Sequence, residues 1–536
     1  MTQLPILTSL VFTPLAGAVV VAFVNGRAHI TRWLGFLSSL LTLALAIWMF
    51  LRFSPGVAGM QMEERAPWIP PLGISYHLGV DGVSVLLVAL TAVIFPLALL
   101  SSWESVTEKV REFTALMLLL ETAILGTFLS LDLILFYVFW EGMLIPMYFL
   151  IGIWGGPRRS YAAIKFFLYT MAGSVLMLVA IVVLHLQGRS FLGIPTFDLL
   201  ELQGIRLPPS TQMWLFAAFA LAFAIKVPIW PLHTWLPDAH VEAPTAGSVI
   251  LAALLLKVGA YGFLRFGLPL FPEASRSVAD LFSILALIGI VYGGLVAWRQ
   301  QDVKRLVAYS SVSHLGLVIL GIFALNQQAI QGSLLQMVNH GISTGGLFLI
   351  VGILYDRVHT RMLHDFGGVA RLMPTFAVVV LIVSLSSTAL PGTNGFVGEF
   401  LILLGVFRSD WRYAAVAVLG VILSAVYLLW MIEQVMHGPV RARSPERLVD
   451  VKRRELLVFL PLLLLIFWIG IYPRPFLVRT EASVERLVTR VQERTFPTTV
   501  LRTHVSKFAD YAVKDFNLPT YPLATLQPEE MRGEGR

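Results

Sequence analysis

Residues 223–266 read FAIKVPIWPLHTWLPDAHVEAPTAGSVILAALLLKVGAYGFLRF, two apolar stretches with a lysine in each and a proline-rich interruption between them. Proline removes a backbone donor and clashes with the preceding turn, so Lys226-Val-Pro-Ile-Trp-Pro231 should break its helix. A second interruption, Leu390-Pro-Gly-Thr-Asn-Gly395, divides the apolar run 373–406. Unwound backbone is tolerated at membrane depth where it lines a hydrated cavity. Both interruptions therefore point to a polar path inside an apolar protein.

Working outward, apolar runs of bilayer-crossing length, roughly 20 residues, recur along most of the 536-residue chain. They fall near 4–24, 30–51, 82–102, 113–131, 133–153, 161–186, 212–231, 244–266, 277–298, 303–324, 328–354, 373–406, 411–436 and 455–472. Hydrophobic residues make up 57% of the chain and charged residues 13%, against about 25% charged in a soluble domain. The fold class is thus an all-α polytopic membrane protein of about fourteen transmembrane helices, two of them broken. The first run lacks a basic flank and a small-residue cleavage pattern, so it reads as a retained span.

The chain has no cysteine, which excludes disulfides, thiolate-held zinc and ordinary iron–sulfur clusters. No P-loop or dinucleotide-binding glycine pattern appears either. The net charge of +7 lies mostly in short loops between spans, which speaks for membrane topology and against nucleic acid. With the N-terminus outside, the inner loops carry 18 Lys and Arg and the outer loops 7. That asymmetry predicts both termini on the outer side of the membrane. Beyond residue 475, Val478, Val484, Leu487, Val488 and Val491 recur at near-helical spacing among charged residues. An amphipathic helix and a plain solvated extension both fit this tail.

Ionisable groups inside apolar spans each cost about 2.5–3.5 kcal/mol by insertion scales. The principal ones are Glu141, Lys226, Lys257, His314, His340 and Glu399, with Glu121 and His233 as secondary candidates. Lys165 and Glu433 lie in or near spans and are weaker. Any one of these could serve helix pairing or snorkel to the surface; the set together is better explained by a proton path. Arginine outnumbers lysine 31 to 8, yet the deepest basic residues of the seventh and eighth spans are lysines. Lysine can give up its proton where arginine cannot, so Lys226 and Lys257 read as titrating groups. Glu141 is the natural counter-charge for Lys226, and a pair of variable separation would switch its proton affinity.

Spacing also suggests an internal repeat. Lys226 and Glu399 are 399 − 226 = 173 residues apart, and the same offset from Glu141 lands on His314. Five spans per unit is odd, so the second unit would be inverted. The expected division is 1–112 for three N-terminal spans, 113–268 and 269–437 for the two five-helix units, 438–474 for the final span and 475–536 for the extension.

At these residues the chain resembles a known family. The runs FYVFWEGMLIPMYFLIGIWGG (136–156), FAIKVPIWPLHTWLPDAHVEAPTAGSVILAALLLKVGAYGFLRF (223–266), KRLVAYSSVSHLGLVILG (304–321) and LPGTNGFVGEFLILLG (390–405) are similar to the antiporter-like subunits of complex I, the proton-pumping NADH–quinone oxidoreductase. The resemblance reaches to about residue 475 and is strongest with the M-type, because Glu399 stands where the L- and N-types carry lysine. It implies fourteen spans built from two inverted five-helix repeats and a proton translocated by each such subunit. It places the salt-bridge glutamate at Glu141, the broken-helix lysine at Lys226 and the central lysine at Lys257. It also places relay histidines at His314 and His340 and the exit-side glutamate at Glu399. It further implies no cofactor in this chain, with NADH, FMN, iron–sulfur clusters and quinone handled by other subunits. L-type and N-type neighbours, the lipid bilayer and a bacterial inner membrane complete that picture. The alternatives are a subunit of a multisubunit sodium/proton antiporter or membrane hydrogenase, and a purely structural scaffold.

Overall fold

The computed structural model of the protein describes residues 5–24, 28–441 and 445–492. Each of the fourteen apolar runs becomes a helix or a broken pair of helices. In order they are Ile6–Phe23, Ala28–Arg52, Val85–Ser101, Val110–Leu129, Leu133–Trp154, Arg159–Leu192, Pro209–Lys226, Thr245–Leu270, Ala279–Trp298, Val303–Phe323, Gln327–Val358, Pro374–Ser387 with Asn394–Ser409, Trp411–Met436 and Arg453–Ile471. Eleven are long and apolar enough to cross a membrane unaided. Side-chain caps set several starts: Asp132 accepts from the amides of Ile134 and Leu135, and Asp302 from those of Lys304 and Arg305.

Both sequence-predicted breaks are present. One helix ends at Lys226 and winding resumes at Trp235; another ends at Ser387 and resumes at Asn394. A third interruption, at Met143, was not expected. Pro146 explains it, since its missing N–H leaves the Gly142 carbonyl without the bond a regular helix would supply. Glu141 sits immediately before this point. The helix Thr245–Leu270 carries two turns of wider π winding, Leu251–Leu255 and Phe263–Gly267, on either side of Lys257. Such turns often mark functional sites.

Burial separates the helices into inner and outer sets. Thr245–Leu270, Val303–Phe323 and Gln327–Val358 are almost wholly covered by the rest of the protein, whereas Ile6–Phe23, Ala28–Arg52 and Arg453–Ile471 leave most of their surface exposed. The ionisable side chains lie largely on or beside the covered helices, so apolar neighbours shield them from lipid.

Loop contacts fix which ends share a face. On one face Glu64 accepts from the amides of Leu7 and Thr8, Leu131 donates to His77, and Leu199 donates to Leu131. On the other, Arg32 donates to Val106, Gly156 to Glu242, Val303 to Arg361, and Lys452 pairs with Glu104. The loops alternate between the two faces, and the first helix begins on the face where the tail helix lies.

The all-α reading needs one addition. The segment between the second and third spans folds as an antiparallel hairpin, β1 (Gln61–Ile69) and β2 (Ile74–Val80). His77 fastens it, with Nδ1 2.7 Å from Asp198 and Nε2 3.2 Å from Glu63. Burial opposes a charge on His77, but the two carboxylates outweigh it and the nearby Arg65, so its pKa is raised. A raised folded value means that this stability is complete below the ordinary value of about 6.5 and fades as pH rises through the higher one. Amide exchange at Tyr76–Leu78, corrected for its intrinsic pH dependence, should therefore lose protection on alkalinisation. A His77→Phe variant should show no such pH-dependent loss.

The expected amphipathic helix spans Arg474–Gln492 and lies along the hairpin face. Phe476, Thr480, Ser483, Val484, Leu487, Val488 and Val491 are buried, while Val478 is only half-buried. Ser483 accepts from Gly82 at 2.9 Å, Arg490 donates to the Pro269 carbonyl at 2.9 Å, and Gln492 donates to Leu325 at 2.9 Å. The rest of the 475–536 extension lies outside the described residues.

Candidate functional site

Lys257 is fully buried in the middle of its helix. In the π turn before it, the Leu256 amide bonds to Leu251 and leaves the Ala252 carbonyl free of its usual partner. The Lys257 ammonium takes up that carbonyl and also reaches His340 Nδ1 at 2.6 Å. When Lys257 is an ammonium it only donates, so Nδ1 of His340 is then the acceptor and a neutral imidazole carries its hydrogen on Nε2. Irregular winding and a lysine–histidine contact thus arise from the same local geometry.

The next links lie on two other covered helices. His340, on Gln327–Val358, has its ring centroid 5.8 Å from that of His314, on Val303–Phe323. His314 Nδ1 is 3.0 Å from Glu399 Oε1, and its Nε2 is 3.1 Å from the Tyr427 hydroxyl. Lys257, His340, His314 and Glu399 therefore form one line of near neighbours, all buried. Hydrogen-bond reach, about 2.6–3.2 Å, is the range in which a proton changes hands directly. The His340–His314 step is longer and needs a ring rotation or a water.

The other end is arranged differently. Lys226 is buried at the first helix break and its ammonium has no hydrogen-bond partner among the described residues. It lies 5.2 Å from the centre of the Trp140 ring and 5.9 Å from that of Phe166, contacts in which ring faces attract a cation. Glu141 acts on Lys226 through its charge, but no ion pair within 4.0 Å joins them among the described residues, and Glu141 Oε1 is unpaired. Glu141 and Lys226 are therefore not directly bonded in this structure. No hydrogen bond among the described residues joins Lys226 and Lys257 either.

Of the secondary candidates, His233 is buried beside Tyr292 in the segment after the break, with Nδ1 unpaired. Glu121, on Val110–Leu129, is buried against Ser39 of the second helix, which donates to it at 3.1 Å, and no hydrogen bond among the described residues joins it to the line. Lys165 pairs with Asp238 at 2.7 Å, and Glu433 is exposed.

Several members of the site carry no clear sequence signal. Tyr427 and Gln336 bond the His314–Glu399 pair, yet an aromatic or amide in an apolar run is ordinary. His240, stacked on Phe348 with both nitrogens unpaired, could have been noticed from its place in the DAHVEAP stretch. Lys304, which donates to the Ala243 carbonyl at 2.6 Å, reads in sequence as a loop residue.

Residues 130–424 match the family described as NADH:quinone oxidoreductase/Mrp antiporter, transmembrane. The chain belongs to this membrane family. It is 46% identical over 481 residues to NADH-quinone oxidoreductase subunit M of Rhodobacter capsulatus, covering 87% of this chain and 93% of the relative. It is 41% identical to NADH-ubiquinone oxidoreductase chain 4 of Arabidopsis thaliana, over 90% of this chain and 97% of that one. Its fold is similar to that of a chain of respiratory complex I from Thermus thermophilus, with a TM-score of 0.82, 34% identity, and coverage of 90% and 99%. Within this NADH:quinone oxidoreductase/Mrp antiporter family match lie all six principal candidates, whereas Glu121 falls before it.

Proposed function

We propose that this chain carries protons across the membrane as the M-type membrane-arm subunit of NADH–quinone oxidoreductase. The observation that supports this best is the buried line Lys257–His340–His314–Glu399 inside a member of the NADH:quinone oxidoreductase/Mrp antiporter family. Oxidation of NADH and reduction of quinone belong to other subunits of the assembly, with FMN and iron–sulfur clusters as carriers. Charge displacement set off by that chemistry brings Glu141 toward or away from Lys226. With Glu141 distant, Lys226 loses the carboxylate that favours its charged form and releases its proton. Lys257, the two histidines and Glu399 then pass a proton along the covered helices toward the outer side. L-type and N-type subunits are the expected neighbours in a bacterial inner membrane, with both termini outside.

Curated relatives at 40–46% identity bear quinone-oxidoreductase names, which disfavours the sodium/proton antiporter alternative. The test is the Glu399→Gln variant of the intact complex in sealed proteoliposomes. Protons pumped per NADH should fall, because Gln accepts the His314 hydrogen bond but cannot take up a proton. NADH oxidation should continue. An unchanged ratio would remove Glu399 from the path, and a sodium requirement without NADH-linked activity would favour the antiporter.

A further inference from the structure

A second set of side chains reaches Glu399 and takes no part in the line above. Gln336 donates to the same Oε1 that faces His314, at 3.0 Å. Asn339 Nδ2 is 3.4 Å from Gln336 Oε1 and donates to the Asn394 carbonyl at 2.7 Å, while Asn394 Nδ2 donates back to the Asn339 carbonyl at 3.4 Å. Asn394 Oδ1 accepts from Ser386 at 2.5 Å, and Ser386 shares a hydrogen bond with Ser343 at 2.6 Å. All of these side chains are buried.

The network spans the second helix break. Ser386 lies at the end of Pro374–Ser387, and Asn394 opens Asn394–Ser409. Gln336, Asn339 and Ser343 follow one another at spacings of three and four, on one face of Gln327–Val358. Close approach is built in at Gly398, where a Cβ would stand 2.4 Å from Gln336 Oε1 and 2.8 Å from Asn339 Nδ2. The joined residues neighbour the proton line directly: Asn339 precedes His340, and Asn394 stands five residues before Glu399.

Buried amides and hydroxyls are poor proton carriers, but bonded to one another they resist displacement, because each broken bond would strand a further polar group beside Asn339 Oδ1, which has no partner among the described residues. We propose that Asn339, Asn394, Ser386 and Ser343 are positioning residues that hold Glu399 within proton-transfer reach of His314. The step they control moves one proton between His314 Nδ1 and Glu399 Oε1 and changes no other bond. This inference rests on the proton-carrying reading above.

Its test uses the whole complex in proteoliposomes, reading protons pumped per NADH oxidised across pH. Ser386→Ala and Asn394→Ala should slow proton delivery by about fivefold, the effect of one net hydrogen bond, and move the pH midpoint of pumping. Ser386→Thr, which keeps the hydroxyl, should restore both. If Ser386→Ala does not assemble, Ser343→Ala at the far end of the network should show the pH shift in a milder form. Wild-type ratio and pH profile in assembled alanine variants, with Glu399→Gln inactive, would overturn the positioning role alone. Normal pumping by Glu399→Gln would remove Glu399 from the path and overturn this inference with it.

Discussion

Lys226→Ala should abolish the proton translocation that passes through this chain, and Lys226→Arg should fail to restore it. The buried ammonium has ring faces beside it and no hydrogen-bond partner among the described residues. Its charge is therefore supported chiefly by Glu141 at a distance. A guanidinium would satisfy the rings and the carboxylate but would not release a proton. Removing a positioned proton carrier costs about 10²–10⁴-fold in rate, so the expected loss is larger than any geometric perturbation nearby. Proton uptake by energised proteoliposomes is the measurement, with NADH oxidation in the same vesicles as the assembly control. Wild-type pumping by the arginine variant would show that Lys226 supplies fixed charge only.

The largest effect on stability should come from Asp81. This carboxylate forms a buried pair with Arg265 and also caps the amides of Val83 and Ser84. Arg265 donates in addition to the Tyr261 hydroxyl at 3.0 Å, and Tyr261 donates to the Phe128 carbonyl at 2.9 Å. Asp81→Ala would leave the guanidinium buried without its counter-charge, at a cost of about 3–5 kcal/mol. Thermal unfolding of the detergent-solubilised protein should show a marked fall in Tm. Arg265→Met combined with Asp81→Ala should recover much of it, because the stranded charge is then gone. If the double variant were less stable than Asp81→Ala, the pair would not be the source of the loss.

Much of this arrangement was legible beforehand because bilayer solvation writes itself into composition. Each apolar run had to become a helix, and prolines beside Lys226 and before Glu399 had to interrupt two of them. Buried charge is rare enough in such runs that Lys257, His314, His340 and Glu399 could be singled out before their contacts were known. The hairpin could not be read this way: β1 carries Glu63, Glu64, Arg65 and Pro67, and the hairpin is held through Ser75 and His77 by Asp132 and Asp198, 57 and 121 residues further along the chain. The interruption at Met143 has a local sign in Pro146 that the apolar run around it masks, whereas the π turns around Lys257 depend on how neighbouring helices pack, which local pattern does not encode. Glu141 and Lys226 were expected as a pair of variable separation, but which separation the side chains adopt leaves no trace in spacing.

The tail helix Arg474–Gln492 has a mechanical meaning. It is tied to Gly82 at the start of the third span, to Pro269 at the end of the eighth and to Leu325 beyond the tenth. A crossbar pinned at three stations braces one side of the assembly like the tie-beam of a roof. Helices that seesaw in bulk to expose a site first to one side and then to the other would have to tear those pins.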